Sequence, residues 1–413
     1  MRHKEPILIV GAGPKALAIH TKTQVLRQVG FPVPPVLVIE RAEIGAHWSG
    51  ALGYTDGLRL LCTPPEKDLG FPYRSAFGDR VNQYMHEYSW NRYLVETSRI
   101  SNWIDQGRRH PTHGGWATYL RWAATKAGLV PIYGHVRLIE PEGNLWRVSF
   151  TLRDGTPAAA SAQGVVITGP GEAFRLDVQD DDPRILDGKS FWTSLHVFAD
   201  LGSDAAVAVI GTGETAATIV GALLDMPRGR AMRIDLINRR GMLYTREEGP
   251  HANRFFSDPS NWHNQPLSFR SDFISRADKG VFSKNAKDRI EQAENVHLLA
   301  RTAKSARIAG SQIELMYGDG QTERYDRVIV ATGFNPLSCF KLFPKGLVRL
   351  NGSWKSRFNA IAKRIQFDLS LSELEPKLHL PMLAALEQGP GFPNLTCLGH
   401  LSDRILWNYV PTS

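Results

Sequence analysis

The chain has 413 residues, 42% hydrophobic and 22% charged, with a formal net charge of +8. That length predicts two or three domains with ample material for a large core, and the composition excludes a disordered or low-complexity chain. No apolar run approaches the roughly 20 residues that span a bilayer, and scattered basic residues without a basic helix or zinc spacing favour an enzyme of anionic cofactors over a nucleic-acid binder.

In chain order, PILIV runs straight into glycines with no signal-peptide cleavage site, so it reads as a first strand, Ile7–Val10. A helix from Pro14 to Gln28 follows, its proline in the first turn where a missing N–H does no harm. FPVPP breaks the chain before a second strand, Val36–Glu40, which completes one βαβ unit. Residues 41–103 are rich in Gly, Pro and aromatics with little periodicity, and read as a long functional loop region. Trp116–Ala127 is expected to be helical, LWRVSFTLRDGTP to be strand and turn, and GVVITGPG (Gly164–Gly171) to be a buried strand ending in glycines. The acidic DVQDDDPRILDG reads as a linker into a second unit that opens at Ala205 and closes near Tyr325. DRVIVATGF (Asp326–Phe334) then reads as a strand of the returning first domain. The three cysteines, Cys62, Cys339 and Cys397, form no CxxC pair and no disulfide framework, which fits a reducing cytoplasm.

One device occurs twice. Gly11-x-Gly13-x-x-Ala16, with Pro14 and Lys15 between, and Gly211-Thr212-Gly213-Glu214-Thr215-Ala216 both sit between an apolar strand and a helix. The first glycine permits the tight turn, the second lets backbone approach a pyrophosphate, and the third small residue allows close helix packing. The helix N-terminus offers unpaired N–H groups and a positive dipole end to the phosphates. The second strands differ. VLVIE ends at Glu40, followed by Arg41, and a carboxylate there accepts from both ribose hydroxyls of an adenosine. RIDLINRR ends at Arg239 and Arg240, which would attract a 2′-phosphate, the bland alternative being a solvated basic strand end. The expectation is FAD on the first cradle and NADPH on the second. The fold class is then α/β, with two Rossmann-like domains built as three-layer parallel sheets. Residues 1–195 and 326–413 form a discontinuous FAD domain, and residues 196–325 form the inserted NADPH domain.

GAGPKA, Gly45-Ala46-His47-Trp48, GTGETA and Ala331-Thr332-Gly333 occur in the order seen in flavin monooxygenases with two dinucleotide sites. With PPEKDLGFPYRSA, THGGWATYLRW, FFSDPSNW and PGFPNLTCLGHLSDRIL, nearly the whole chain resembles the lysine/ornithine N-monooxygenases of siderophore biosynthesis, above all the mycobactin and nocobactin lysine branch. The resemblance implies that NADPH reduces FAD, that O₂ gives a C4a-hydroperoxyflavin, and that a neutral terminal amine takes its distal oxygen. It implies a flavin contact for His47, Trp48, Thr332 and Gly333. It implies that Lys67 contacts substrate or nicotinamide and is catalytic, although an exposed lysine paired with Glu66 or Asp68 would look the same. Asn253 matches a substrate-contacting asparagine, though Arg254 replaces the acid that follows it in the family. Ser402 and Asp403 match a segment returning to flavin and substrate, and Cys62 stands where the family has a flavin-contacting glutamine. The ornithine branch's NYS signature has no clean counterpart in DKGVFSKN, which with Cys62 points to the lysine branch.

Other readings are an ornithine or other primary-amine N-monooxygenase, or a non-catalytic NADPH-binding flavoprotein sensor. A thioredoxin-reductase-like enzyme lacks its CxxC, and GKSFWTSLH around His196 lacks the spacing of a Baeyer–Villiger fingerprint. The expected partners are a small amine and siderophore assembly-line enzymes, with no metal and no nucleic acid, in a homo-oligomer.

Overall fold

The computed structural model describes residues 5–52, 54–178, 182–227, 229–245, 249–278 and 280–411. Its first sheet has seven strands, in the order Lys377–His379, Gly164–Ile167, Ile7–Val10, Val36–Glu40, Ile132–Glu142, Leu145–Leu152 and Pro157–Ala162. The pairings from Lys377–His379 through to Ile132–Glu142 are parallel, and the last two strands continue antiparallel. The helix Pro14–Gln28 has the bounds the sequence predicts, but its apolar residues are not confined to one face. It is wedged between this sheet and the helix Leu398–Trp407, so even His20, Thr21, Lys22 and Thr23 are buried. A helix covered all round keeps polar side chains only where they find partners. Lys22 finds Asp403 at 2.5 Å, and His20 Nε2 meets the Ala127 carbonyl at 3.1 Å.

The second sheet is wholly parallel, in the order Val296–Ala300, Arg233–Asn238, Ala206–Ile210, Arg327–Val330 and Ile185–Asp187. Strand alternation decides its layers. Val207 and Val209 face one core with the helix Glu214–Asp225, while Ala208 and Ile210 face another. That other face is covered by Ile313, Leu315 and Tyr317 of an antiparallel sheet, Ala303–Ala309, Gln312–Tyr317 and Thr322–Tyr325.

This topology corrects the domain limits. The strand Arg327–Val330, expected in the returning first domain, pairs with Ala206–Ile210 of the second sheet. Ile185–Asp187, within the expected linker, forms that sheet's edge, and Asp177–Val178 pairs with Ser305 and Ala306. The acidic, proline-broken composition hid two short edge strands. The chain leaves and returns side by side, because Glu172–Ala173 and Phe334–Asn335 pair antiparallel. Farther off, Arg59 of the first domain reaches Asp225 at 2.5 Å, and Asp225 also binds Arg289.

Residues 41–103 are less irregular than expected. Asp79–Met85, Trp90–Glu96 and Ile100–Asp105 are helices, each of about two turns and too short to show a period. Ser89 caps the second by accepting from Arg92 N, and Trp90 and Tyr93 pack on Tyr119 of the helix His113–Lys126. That longer helix begins three residues before the expected Trp116, where Thr112 accepts from Gly115 N.

Candidate active site

At the first cradle, the strand Ile7–Val10 ends in Gly11 at φ +98°, and Gly11 N donates to Ile39 O at 2.8 Å. A side chain there would be strained and would meet Thr168 Oγ1 at 2.8 Å. Gly211 repeats this at φ +133°, donating to Ile237 O at 2.9 Å. The second glycines behave differently. Gly13 has φ −87° and Gly213 has φ −98°, backbone that any residue adopts, and a Cβ on either would meet nothing within 4 Å. Neither the backbone nor any protein neighbour requires glycine at these two helix starts. A diphosphate lying against the first-turn N–H groups does require it, so the residues fit a dinucleotide at both places.

Around the first cradle, the Glu40 carboxylate is fixed by Ala12 N and Ala42 N, each at 2.7 Å. Two of about four acceptor positions are thereby used, which leaves capacity for ribose hydroxyls. Arg41 is exposed and donates to Tyr54 OH at 3.1 Å. Lys15, after Pro14 in the first helical turn, is buried with Nζ donating to Pro393 O at 2.7 Å, and burial holds its ammonium down to about 8 against the pull of Cys397. His47 packs edge-on to Trp48 and to Phe334, next to Gly333, so the loop after Glu40 meets the Thr332–Gly333 exit. Burial, with His113 and Lys15 nearby, holds His47 down to about 4.

At the second cradle, Glu214 Oε2 accepts from Ser283 N at 3.2 Å, and the Thr215 methyl faces Gly188. Both side chains thus face protein, so backbone is what these residues offer a dinucleotide, while Thr212 Oγ1 lies beside Gly280. Arg239 and Arg240 are exposed beyond the strand Arg233–Asn238, and Arg240 Nη1 donates to Ser275 O at 2.6 Å. Ser275 lies in a π-helical turn, Ile274–Asp278.

Residues 81–336 match the family model described as L-lysine 6-monooxygenase/L-ornithine 5-monooxygenase. The L-lysine N6-monooxygenase MbtG of Mycobacterium tuberculosis is 37% identical over 97% of this chain and 94% of its own length. The solved lysine monooxygenase NbtG of Nocardia farcinica is 36% identical over 97% of this chain and 98% of that one, with a TM-score of 0.84. An L-ornithine N(5)-monooxygenase of Burkholderia cepacia is 26% identical over 60% of this chain and 62% of its own length. The chain belongs to this lysine/ornithine monooxygenase family.

In this lysine/ornithine monooxygenase, Lys67 is half-buried, its ammonium 5.9 Å from the Phe71 ring and its N–H on Pro64 O. Neighbouring Asp68 turns inward, accepting from Tyr73 OH at 2.7 Å and from the backbone N–H groups of Trp90 and Gly70. Arg404, Lys15 and Lys67 all act electrostatically on the Cys397 thiol, which burial nonetheless pushes up to about 12. Lys67 and Lys15 thus lie within electrostatic range of one buried thiol. Asn253 is half-buried in the helix Pro250–Ser257, on the same side as buried Phe256, whose carbonyl lies against Gly391 of the C-terminal segment. Cys62 is half-buried, 3.8 Å from Thr63 Oγ1.

The C-terminal pair is buried. Asp403 was expected at the cofactor, but its oxygens are taken by Lys22, by Ser75 Oγ at 2.8 Å and by Ala76 N at 3.2 Å. Ser402 was expected at flavin and substrate. It is fully buried, and its hydroxyl donates to Gly399 O at 2.9 Å within its own helix. Asp403, through Lys22, fastens the last helix to the first. Sequence reading missed Lys22 and Thr168, the hydroxyl that donates to Val10 O at 2.8 Å beneath the first cradle. It also missed His113, which pairs with Thr55 Oγ1 at 2.9 Å. A lysine inside an otherwise buried helix was the one available signal.

Proposed function

We propose that this monooxygenase hydroxylates the terminal side-chain nitrogen of lysine, or of lysine within an acylated or siderophore precursor, using FAD, NADPH and O₂ to prepare a hydroxamate donor. The observation that carries the proposal is the pair of register-matched cradles. Each has a second glycine that no backbone strain or protein neighbour requires and that a bound diphosphate would explain, and an acid follows one while arginines follow the other. Likeness to proteins named lysine N6-monooxygenases, over nearly the whole chain, favours lysine over ornithine.

The first cradle would hold FAD through Gly11–Ala16 and Glu40, and the second would hold NADPH through Gly211–Ala216 with Arg239 and Arg240. Bound FAD supplies the oxygen-activating redox chemistry, with NADPH as its reductant. The chain's own residues prepare the nucleophile. An alkylammonium ionises near 10.4 and attacks only when neutral. Lys15, Lys67 and Arg404 all act on the Cys397 thiol, and an amine bound beside them would hold its proton less tightly. His47 and His113, both held near 4, stay neutral at pH 7 and add no charge to the cofactor phosphates. Lys67 would place the amine or the nicotinamide, and Asn253 the rest of the substrate. The reading extends to a cytoplasmic homo-oligomer serving siderophore assembly enzymes. Among the described residues no helix is long and apolar enough to cross a membrane.

The test is product mass spectrometry with NADPH and O₂ on lysine, Nα-acyl-lysine, a lysine-bearing siderophore precursor, ornithine and cadaverine. A mass gain of one oxygen on a lysine-type amine is expected, with weak ornithine turnover tolerated, since one methylene is worth only about 1–3 kcal/mol. Preference for ornithine over every lysine derivative overturns the substrate assignment.

A further inference from the structure

Lys67 belongs to a turn whose shape is set by the residue after it. Asp68 is only 2% exposed. Its Oδ1 accepts from Tyr73 OH at 2.7 Å and from Gly70 N at 3.2 Å, and its Oδ2 accepts from Trp90 N at 2.8 Å. The first two donors close the turn on itself, and the third ties it to the residue that opens the helix Trp90–Glu96. Burial pushes the Asp68 carboxyl up to about 7, against the pull of these donors.

The rest of the turn is fastened to match. Phe71 N donates to Asp68 O at 3.2 Å, and Phe71 O accepts from Gly399 N at 2.7 Å, at the start of Leu398–Trp407. The Tyr73 ring folds back over Gly70, where an added Cβ would meet it, and stacks on His86 with centroids 3.9 Å apart. Tyr73 holds φ +58°, a left-handed conformation that an L-residue keeps only where its surroundings fix it. The Lys67 ammonium lies 5.9 Å from the Phe71 ring. The Asp68 carboxylate thus joins the backbone after Lys67 to one helix, and Phe71 joins it to another. A lysine carries its ammonium on a flexible stem, so where the ammonium sits depends on how its Cα is held.

We infer that Asp68 is a positioning residue for Lys67: it holds the turn that presents the Lys67 ammonium to the amine or the nicotinamide, and touches neither itself. This rests on the reading of Lys67 in the proposed function. Asp68→Asn keeps the size but only one acceptor oxygen, so it serves either Trp90 N or the pair Gly70 N and Tyr73 OH, not both. Tyr73→Phe is milder, removing one donor while keeping the ring on His86. FAD-loaded wild type, Lys67→Ala, these two variants and each combined with Lys67→Ala are titrated by calorimetry with NADP⁺, then with lysine and Nα-acetyl-lysine. The pH is kept above about 7, where the Asp68 carboxylate is ionised. Lys67→Ala should weaken one class of ligand, amine or dinucleotide. Asp68→Asn should weaken that same class by about tenfold or more and spare the other, since a misplacement of about 1 Å costs on the order of 100-fold. Tyr73→Phe should do the same to a smaller degree. Neither change should weaken binding further in the Lys67→Ala background, because residues acting as one unit are not additive. Losses that add in full to that of Lys67→Ala, or that fall equally on both classes, overturn the inference and leave Asp68 as support for the fold. Unchanged affinities in both variants overturn it as well. Native affinity of Lys67→Ala for both classes instead overturns the reading of Lys67, and the inference with it.

Discussion

Gly13→Ala separates a glycine kept for the fold from one kept for a ligand. At φ −87°, with nothing within 4 Å of the added methyl, the change restricts the unfolded chain, a gain of about 0.4–1 kcal/mol. Alanine is a poorer N-cap than glycine by a similar amount. The FAD-free variant should therefore lie within about 1 kcal/mol of wild type in urea denaturation. Gly11→Ala should not. A left-handed position costs an L-residue roughly 1–2 kcal/mol, before the Thr168 hydroxyl at 2.8 Å is displaced from Val10 O. Binding should run in the opposite direction to folding. A methyl at position 13 holds a diphosphate off the helix N–H groups, and one such bond is worth about 1.5–3 kcal/mol. FAD titration by fluorescence should therefore show affinity weaker by about tenfold or more. Gly213→Ala, with the same open surroundings, should leave FAD alone and weaken NADP⁺. Native FAD affinity in Gly13→Ala, or a loss of more than about 2 kcal/mol in its cofactor-free stability, would refute the reasoning.

Lys67→Ala should abolish hydroxylamine formation while FAD content and melting temperature stay native; undiminished product would return Lys67 to the role of a surface lysine. Asp403→Ala leaves the Lys22 ammonium buried without its carboxylate, so stability should fall by about 3–5 kcal/mol in chemical denaturation, and a change under about 1 kcal/mol would rule out the pair as a fastening. His113, held near 4 by burial, takes up a proton in the unfolded chain before it does in the folded one, so its contribution is lost as pH falls from about 6.5 towards 4. His113→Gln should flatten the acid limb of stability against pH, and an unaltered slope would remove His113 from that limb.

The strands Ile7–Val10 and Val36–Glu40 and the helix between them were legible because apolar runs, a first-turn proline and paired glycines all agree. What lay beyond the sequence was set by tertiary partners. The strand Arg327–Val330 carries an apolar run like those of the first sheet, residues 328–330, and nothing local says which sheet it joins. Asp403 sits in a stretch resembling a cofactor segment, but its oxygens go to Lys22, 381 positions away.

The pairing of Glu172–Ala173 with Phe334–Asn335 bears on how the molecule is assembled. Everything between these strands enters and leaves through points about one strand spacing apart, roughly 5 Å. The host sheet thus closes over the gap without a stretched connection, and its chain-closure entropy changes only slowly with the length of what is inserted. A single bond joining residue 173 to residue 334 would leave all seven strands of the first sheet in one chain. The excised segment would have its own ends side by side, ready for circular permutation. The two nucleotide supports thus stand on separate sheets, and the chain crosses between them at one two-stranded pairing.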